Sequence, residues 1–190
     1  MKCNIKNILT NKFKLNANLN TKYKLKEKLD KGYTSSKLFI VKHKHKNKTY
    51  VLKVGKKSLI YSEIYFYCLF NKYKCTPNII DYGLTSYKNP FNKGTITDTN
   101  MFYMVINHIN GYELGEAIQT NKFTLTLFKK LMKSMIKSYS NLNKKYHFKW
   151  GDLHLENVMY DKDKKKLLMI DLQSGVDKKY KRKGKSRFIK

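Results

Sequence analysis

The stretch "KWGDLHLENVMYDKDKKKLLMIDLQSG", Lys149 to Gly175, constrains the fold more than any other part of the chain. Two short apolar runs, "NVMYD" and "LLMID", flank the polar segment "DKDKKK". This is the pattern of two strands joined by a turn. A hairpin of this kind brings its open ends together. Asp171 closes the second strand, and Asp152 and Asn157 stand in the loop before the first. A carboxylate and a carboxamide held near each other are hard-oxygen ligands suited to Mg²⁺. A second carboxylate, Asp152, five positions before Asn157, is placed to orient a hydroxyl nucleophile. Phosphoryl transfer needs such a layout, because positioning and charge neutralisation do most of its catalysis.

A phosphate site also needs a cation. Lys53 lies in "TYVLKV", a β-prone run in which it alternates with Leu52 and Val54. It therefore points to one face of a sheet. An unpaired buried lysine is costly. Glu63 is the only acidic residue between Asp30 and Asp81, which makes it the natural partner.

The rest of the pattern is mixed. Residues 1–28 are rich in Lys and Asn and read as a loosely packed extension. Leu38 to Val41 and Thr49 to Val54 read as strands around the lysine-rich turn that holds "KHKHK". Ser58 to Tyr73 reads as a helix buried on more than one face, with Ser58 as its N-cap. Pro77 ends it. "NIIDYGLTS" and Met101 to Ile109 read as strands, with a loop at "NPFNKGTITDTN" between them. "ELGEAIQT" starts a helix or a loop. Thr124 to Tyr146 places Leu127, Leu131, Met135, Ile136 and Tyr139 at helical spacing.

Composition narrows the class. The net charge of +28 is a polyanion-attracting feature, yet only Arg182 and Arg187 of the 41 basic residues are arginine. Alanine occurs only at Ala17 and Ala117 and proline only at Pro77 and Pro90. This is the output of an AT-rich gene, so many surface lysines reflect codon supply. Non-specific polyanion binding is expected; no nucleic-acid reading motif is visible. No apolar run approaches the ~20 residues that cross a bilayer, and the N-terminus lacks a secretory apolar core. The expectation is a soluble intracellular protein, in the host cytoplasm if the gene is viral. Cys3, Cys68 and Cys75 have no metal-like spacing and read as structural thiols in a reducing compartment. His43 and His45 alternate with lysines that would repel a cation, so they read as a solvated turn. His154 reads as a structural hydrogen-bonding residue and Glu156 as a solvated one.

On these residues the chain resembles the protein kinase-like superfamily, including its small atypical members. "YVLK" resembles the strand lysine motif, Glu63 the helix glutamate, "GDLHLEN" the catalytic loop and "IDL" the metal-binding Asp motif. The resemblance covers about Leu29 to Gly175. It implies an α+β, two-lobed protein kinase-like fold with a small antiparallel-sheet N-lobe and a truncated helical C-lobe. The divisions it suggests are an extension at 1–28, an N-lobe at 29–109 and a short C-lobe with a basic tail at 110–190. It implies ATP and Mg²⁺ as cofactors, with Asp152 as base and Asn157 and Asp171 as metal ligands. Lys53 would contact the α- and β-phosphates and Glu63 would hold it. "MVINHINGYEL" resembles the hinge between lobes, where backbone groups of about Asn107 to Ile109 would meet the adenine. Gly32 and Ser35 fall in the degenerate phosphate loop "LDKGYTSSKLF".

The departures bear on the acceptor. Trp150 and Gly151 replace the catalytic loop's usual His and Arg, and Leu172-Gln173 replaces Phe-Gly. Nineteen residues follow Asp171 in this sequence, so the usual peptide-substrate platform is not expected. The leading expectation is a minimal serine/threonine protein kinase with a protein hydroxyl as acceptor. The alternatives are a small-molecule or sugar kinase, resembling lipopolysaccharide-core and antibiotic phosphotransferases, and an inactive pseudokinase scaffold.

Overall fold

The computed structural model describes residues 3, 5–9, 13, 19–29, 36–85, 101–172 and 175–177. The chain divides into two compact units. The first comprises Met1–Cys68 and Asn78–His108, the second Leu69–Pro77 and Ile109–Lys190.

The first unit is built on a five-stranded antiparallel sheet. Its strands are β1 (Tyr23–Leu29), β2 (Lys37–His43), β3 (Thr49–Lys56), β4 (Ile79–Thr85) and β5 (Met101–Asn107), in the spatial order β1-β2-β3-β5-β4. Alternation along β3 sorts its side chains between two faces. Tyr50, Leu52 and Val54 join Phe39, Val41, Tyr103 and Val105 in a buried cluster with Leu19 and Tyr23. Val51, Lys53 and Gly55 point the other way, and a Cβ on Gly55 would stand 3.1 Å from Ile60 of helix α3 (Lys57–Phe70). Helix α3 therefore covers the face to which Lys53 points. Ile60, Glu63, Ile64 and Tyr67 are all buried, which agrees with a helix packed on more than one side.

Three expectations need correction here. Residues 1–28 are not a loose extension where the structure describes them. Helices α1 (Ile5–Leu9) and α2 (Leu19–Lys22) precede β1, and Ile8, Leu19 and Tyr23 are buried. Phe13 sets its ring edge-on to Phe102 at 4.9 Å and to Tyr61 at 5.5 Å, and the Tyr61 hydroxyl donates to the Ile8 carbonyl. Cys3 and Cys68 are not free thiols. They form a disulfide whose Cα atoms are 5.4 Å apart, because folding closes the 65 positions between them. Cys75 alone of the three is a free thiol, and it is buried. Ser58 is not an N-cap, since α3 already begins at Lys57.

The second unit is helix α4 (Leu114–Gln119), helix α5 (Leu125–Tyr146) and two small sheets. Strands β6 (Gly111–Glu113), β8 (Val158–Asp161) and β9 (Lys166–Met169) form one sheet in the order β6-β8-β9; β7 (Phe148–Trp150) and β10 (Gly175–Asp177) form the other. Thr124 caps α5 by accepting from the Leu127 N–H at 3.2 Å, and His147, left-handed at φ 52°, ends it. The Asn143 side chain then donates to the Phe148 carbonyl at 2.9 Å, tying the helix end to β7. Leu131 and Leu142 are the buried anchors of α5. Ile136, expected on the apolar face, is 55% exposed; at 100° per residue it lies beyond the stripe that Leu131 and Leu142 define.

The turn between β8 and β9 is held by Asp161, which is buried. It accepts from the Lys164 N–H at 3.0 Å and from Lys164 Nζ at 2.7 Å. Burial alone would raise its carboxyl; the Lys164 ammonium and backbone N–H outweigh that and hold it below the usual aspartate value. Within "KHKHK" the turn is Lys44–Lys46 with His45 exposed, as expected, but His43 is not in it. Lys42 and His43 belong to β2, where His43 pairs with Tyr23 and stands edge-on to its ring at 5.4 Å. No helix among the described residues is long and apolar enough to cross a membrane. The loop at "NPFNKGTITDTN" and the basic tail lie outside the described residues.

Candidate active site

In the first unit the pleat of β3 delivers Lys53 to the α3 face, directly opposite Met104 of β5 and Leu38 of β2. One and a half turns into α3, Glu63 meets it. Lys53 Nζ lies 2.7 Å from Glu63 Oε2, with side chains 6% and 2% exposed. Charges this deep are tolerable because they are paired. The pairing expected from the sequence is therefore present. Asn107 ends β5 and donates its N–H to the Asn78 carbonyl at 3.0 Å. The division between the two units falls just beyond it, between His108 and Ile109. Ile109 is buried. Gly32 and Ser35 lie outside the described residues.

In the second unit the hairpin register explains the spacing of the acidic loop. Val158 pairs with Met169 and Asp161 with Lys166. The ladder extends one step further, where the Ile170 N–H donates to the Asn157 carbonyl at 2.9 Å. Asn157 and Asp171 thus flank the open end of one hairpin, as the polar punctuation of the sequence implies. Asp171 has a left-handed backbone, φ 51°, which turns the chain as it leaves β9. Aspartate tolerates that conformation better than most residues.

Asp152 and Asn157 are in direct contact. Asn157 is buried, and its Nδ2 lies 2.9 Å from the Asp152 carbonyl and 3.0 Å from Asp152 Oδ2. Both Asp152 atoms are acceptors only, so the amide nitrogen must face them. The oxygen Oδ1 is thereby turned away and left for another partner. The Asp152 carboxylate is itself half-exposed.

His154 also belongs to this cluster. Its Nε2 is 2.8 Å from Asn157 Nδ2 and 3.5 Å from Asp152 Oδ1, and its Nδ1 is 3.8 Å from Glu156 Oε2. The structural role expected for it is the one observed, but its partner is a site residue. The only sequence signal for this was its place three positions before Asn157, where a short 3₁₀ turn (Leu155–Asn157) closes the two together. Glu156 is solvated, as expected, with a side chain 78% exposed.

The residues present fit the cofactors that the sequence implies. Asn157 Oδ1 and Asp171 are hard-oxygen donors, and their small number suits Mg²⁺, which keeps waters and substrate phosphate oxygens in its shell. Among the described residues no cluster of three His, Cys, Asp or Glu side chains forms a self-contained metal cage.

No protein-family model matches the chain, and no curated protein matches it. Among solved structures it is similar to the PK-1 kinase of Cydia pomonella granulovirus. The TM-score is 0.63 at 19% identity, over 83% of this chain and 56% of that one. The fold is therefore protein kinase-like: an α+β chain with a small antiparallel-sheet unit and a helical unit. The chain spans little more than half the length of that kinase.

Proposed function

We propose that the chain is an ATP- and Mg²⁺-dependent phosphotransferase, a minimal serine/threonine protein kinase acting on a protein hydroxyl. The observation that carries this reading is the Asp152–Asn157 contact on the hairpin that ends at Asp171. It presents a half-exposed carboxylate beside a carboxamide whose oxygen meets no hydrogen-bond partner among the described residues.

When bound, ATP would supply the γ-phosphoryl group, with ADP as the leaving group, and Mg²⁺ would supply charge neutralisation. Lys53, held by Glu63, binds the α- and β-phosphates. Asn157 Oδ1 and the Asp171 carboxylate would hold the metal. Asp152 orients the acceptor hydroxyl and takes its proton at a carboxylate oxygen. The PK-1 structure is a kinase by name, and the shared fold supports the same chemistry here.

The test is incubation of the purified protein with Mg²⁺ and γ-labelled ATP, beside Asp152→Ala, with acidic and basic protein substrates. Label on protein that requires Asp152 is the expected result. ADP formed only when small hydroxylated acceptors are added would reassign the acceptor to a small molecule. Nucleotide binding without any turnover would overturn catalysis and leave a scaffold.

A further inference from the structure

We infer that His154 is a positioning residue that, with the Asp152 main-chain carbonyl, locks the Asn157 carboxamide independently of the Asp152 carboxylate; this deepens, and rests on, the phosphotransferase reading. The argument is a count of hydrogens. Asn157 Nδ2 carries two. Two groups that can only accept surround it, the Asp152 carbonyl at 2.9 Å and Asp152 Oδ2 at 3.0 Å, and His154 Nε2 at 2.8 Å is a third acceptor when the ring proton is on Nδ1. Asp152 Oδ2 is the acceptor that cannot be relied on, because the carboxylate must turn to the incoming hydroxyl. The main-chain carbonyl and the imidazole nitrogen are enough to satisfy both hydrogens without it. With them in place the carboxamide cannot rotate when Asp152 does, and Oδ1 keeps its direction.

The surroundings of His154 suit this task. An Nε2 that accepts from Asn157 places the ring proton on Nδ1. Each ring nitrogen faces a carboxylate, Nδ1 that of Glu156 at 3.8 Å and Nε2 that of Asp152 at 3.5 Å, so it is the Asn157 amide hydrogen, directed at Nε2 from 2.8 Å, that selects this tautomer. The backbone adds a second link, since the Asn157 N–H donates to the His154 carbonyl at 3.1 Å. Residues 154 and 157 are therefore joined through both main chain and side chain, across one 3₁₀ turn. His154 reaches neither acceptor nor nucleotide in this role; it acts through Asn157.

Two readouts test the inference, and neither is turnover. The first is the side-chain amide signal of Asn157 in protein labelled with ¹⁵N-asparagine, identified by its loss in Asn157→Asp. His154→Ala should shift this signal and speed its exchange with solvent, and His154→Gln, whose Oε1 can replace Nε2, should largely preserve it. The second is the Mg²⁺ concentration needed for half-maximal binding of a non-hydrolysable ATP analogue. It should rise about tenfold in His154→Ala, the usual effect of losing an outer partner of a metal ligand, and return to within about twofold in His154→Gln. Binding of the analogue without Mg²⁺ should be the same in all three proteins. An amide signal unmoved by His154→Ala would overturn the inference. So would a moved signal with an unchanged Mg²⁺ requirement. Absence of Mg²⁺-dependent binding in the unaltered protein would instead overturn the phosphotransferase reading, and the metal-positioning role with it.

Discussion

Lys53 and Glu63 form an ion pair across β3 and α3, 2.7 Å between Nζ and Oε2, with almost no access to water. Removing one partner takes a counter-charge away from a buried ionic group. Glu63→Ala is expected to cost about 3–5 kcal/mol in urea denaturation. Replacing both with apolar residues, Lys53→Met with Glu63→Leu, should recover most of that stability while abolishing nucleotide binding. The pair would then be retained for function rather than for stability. A Glu63→Ala protein within about 1 kcal/mol of the parent would show that the pair is not buried in solution.

Asp171 combines a charge with a left-handed backbone. Asn tolerates that backbone and keeps the side-chain shape, so Asp171→Asn should change stability little. It should weaken Mg²⁺-dependent nucleotide binding about tenfold or more, because a charged oxygen ligand is lost. Asp171→Ala should in addition cost about 1–2 kcal/mol from the backbone alone. Calorimetry with and without Mg²⁺ separates the two effects, and unchanged Mg²⁺ dependence in Asp171→Asn would remove Asp171 from the metal site.

Gly111 opens β6, paired with Asp161 of β8. A Cβ there would overlap the Tyr160 carbonyl oxygen, which is main chain of a paired strand and cannot step aside. Gly111→Ala should therefore destabilise the second unit by about 3 kcal/mol or more, in the range of overpacked cores. Thermal melting checks it. A melting temperature within about 2 °C of the parent would mean that β6 does not pack against β8 as described.

The Cys3–Cys68 disulfide closes a long loop and should contribute about 2–4 kcal/mol. Cys3→Ser and treatment with a dithiol should lower the melting temperature equally, and their effects should not add. Cys75 behaves differently, since burial pushes its thiol up to about 11. Native protein at pH 8 should take up no iodoacetamide, and denatured unreduced protein should take up one equivalent, at Cys75. One equivalent on the native protein would contradict the buried thiol; three on the denatured protein would contradict the disulfide.

What the sequence determined by itself is local. Alternation in "TYVLKV" set the side of the sheet that Lys53 faces, and "DKDKKK" between two apolar runs set the hairpin that brings Asn157 near Asp171. The 3.6-residue spacing marked α5. Each of these depends on neighbours within about ten positions, so the pattern is written in consecutive residues. Tertiary structure decided the rest. Among the described residues strand β1 pairs on one side only, and it has a bulge between Leu25 and Glu27, so "YKLKEKL" carries a broken alternation. Strands β7 and β10 are three residues each, too short for a period, and exist because they pair with each other. Cys3 meets Cys68, and Ile8 and Phe13 meet Tyr61, only after the chain has closed loops of about fifty to sixty-five residues. The contact of His154 with Asn157 is short in sequence but needed a 3₁₀ turn that no propensity announces. Periodicity reports which face a residue shows; which group waits on that face is decided by loop closure and packing.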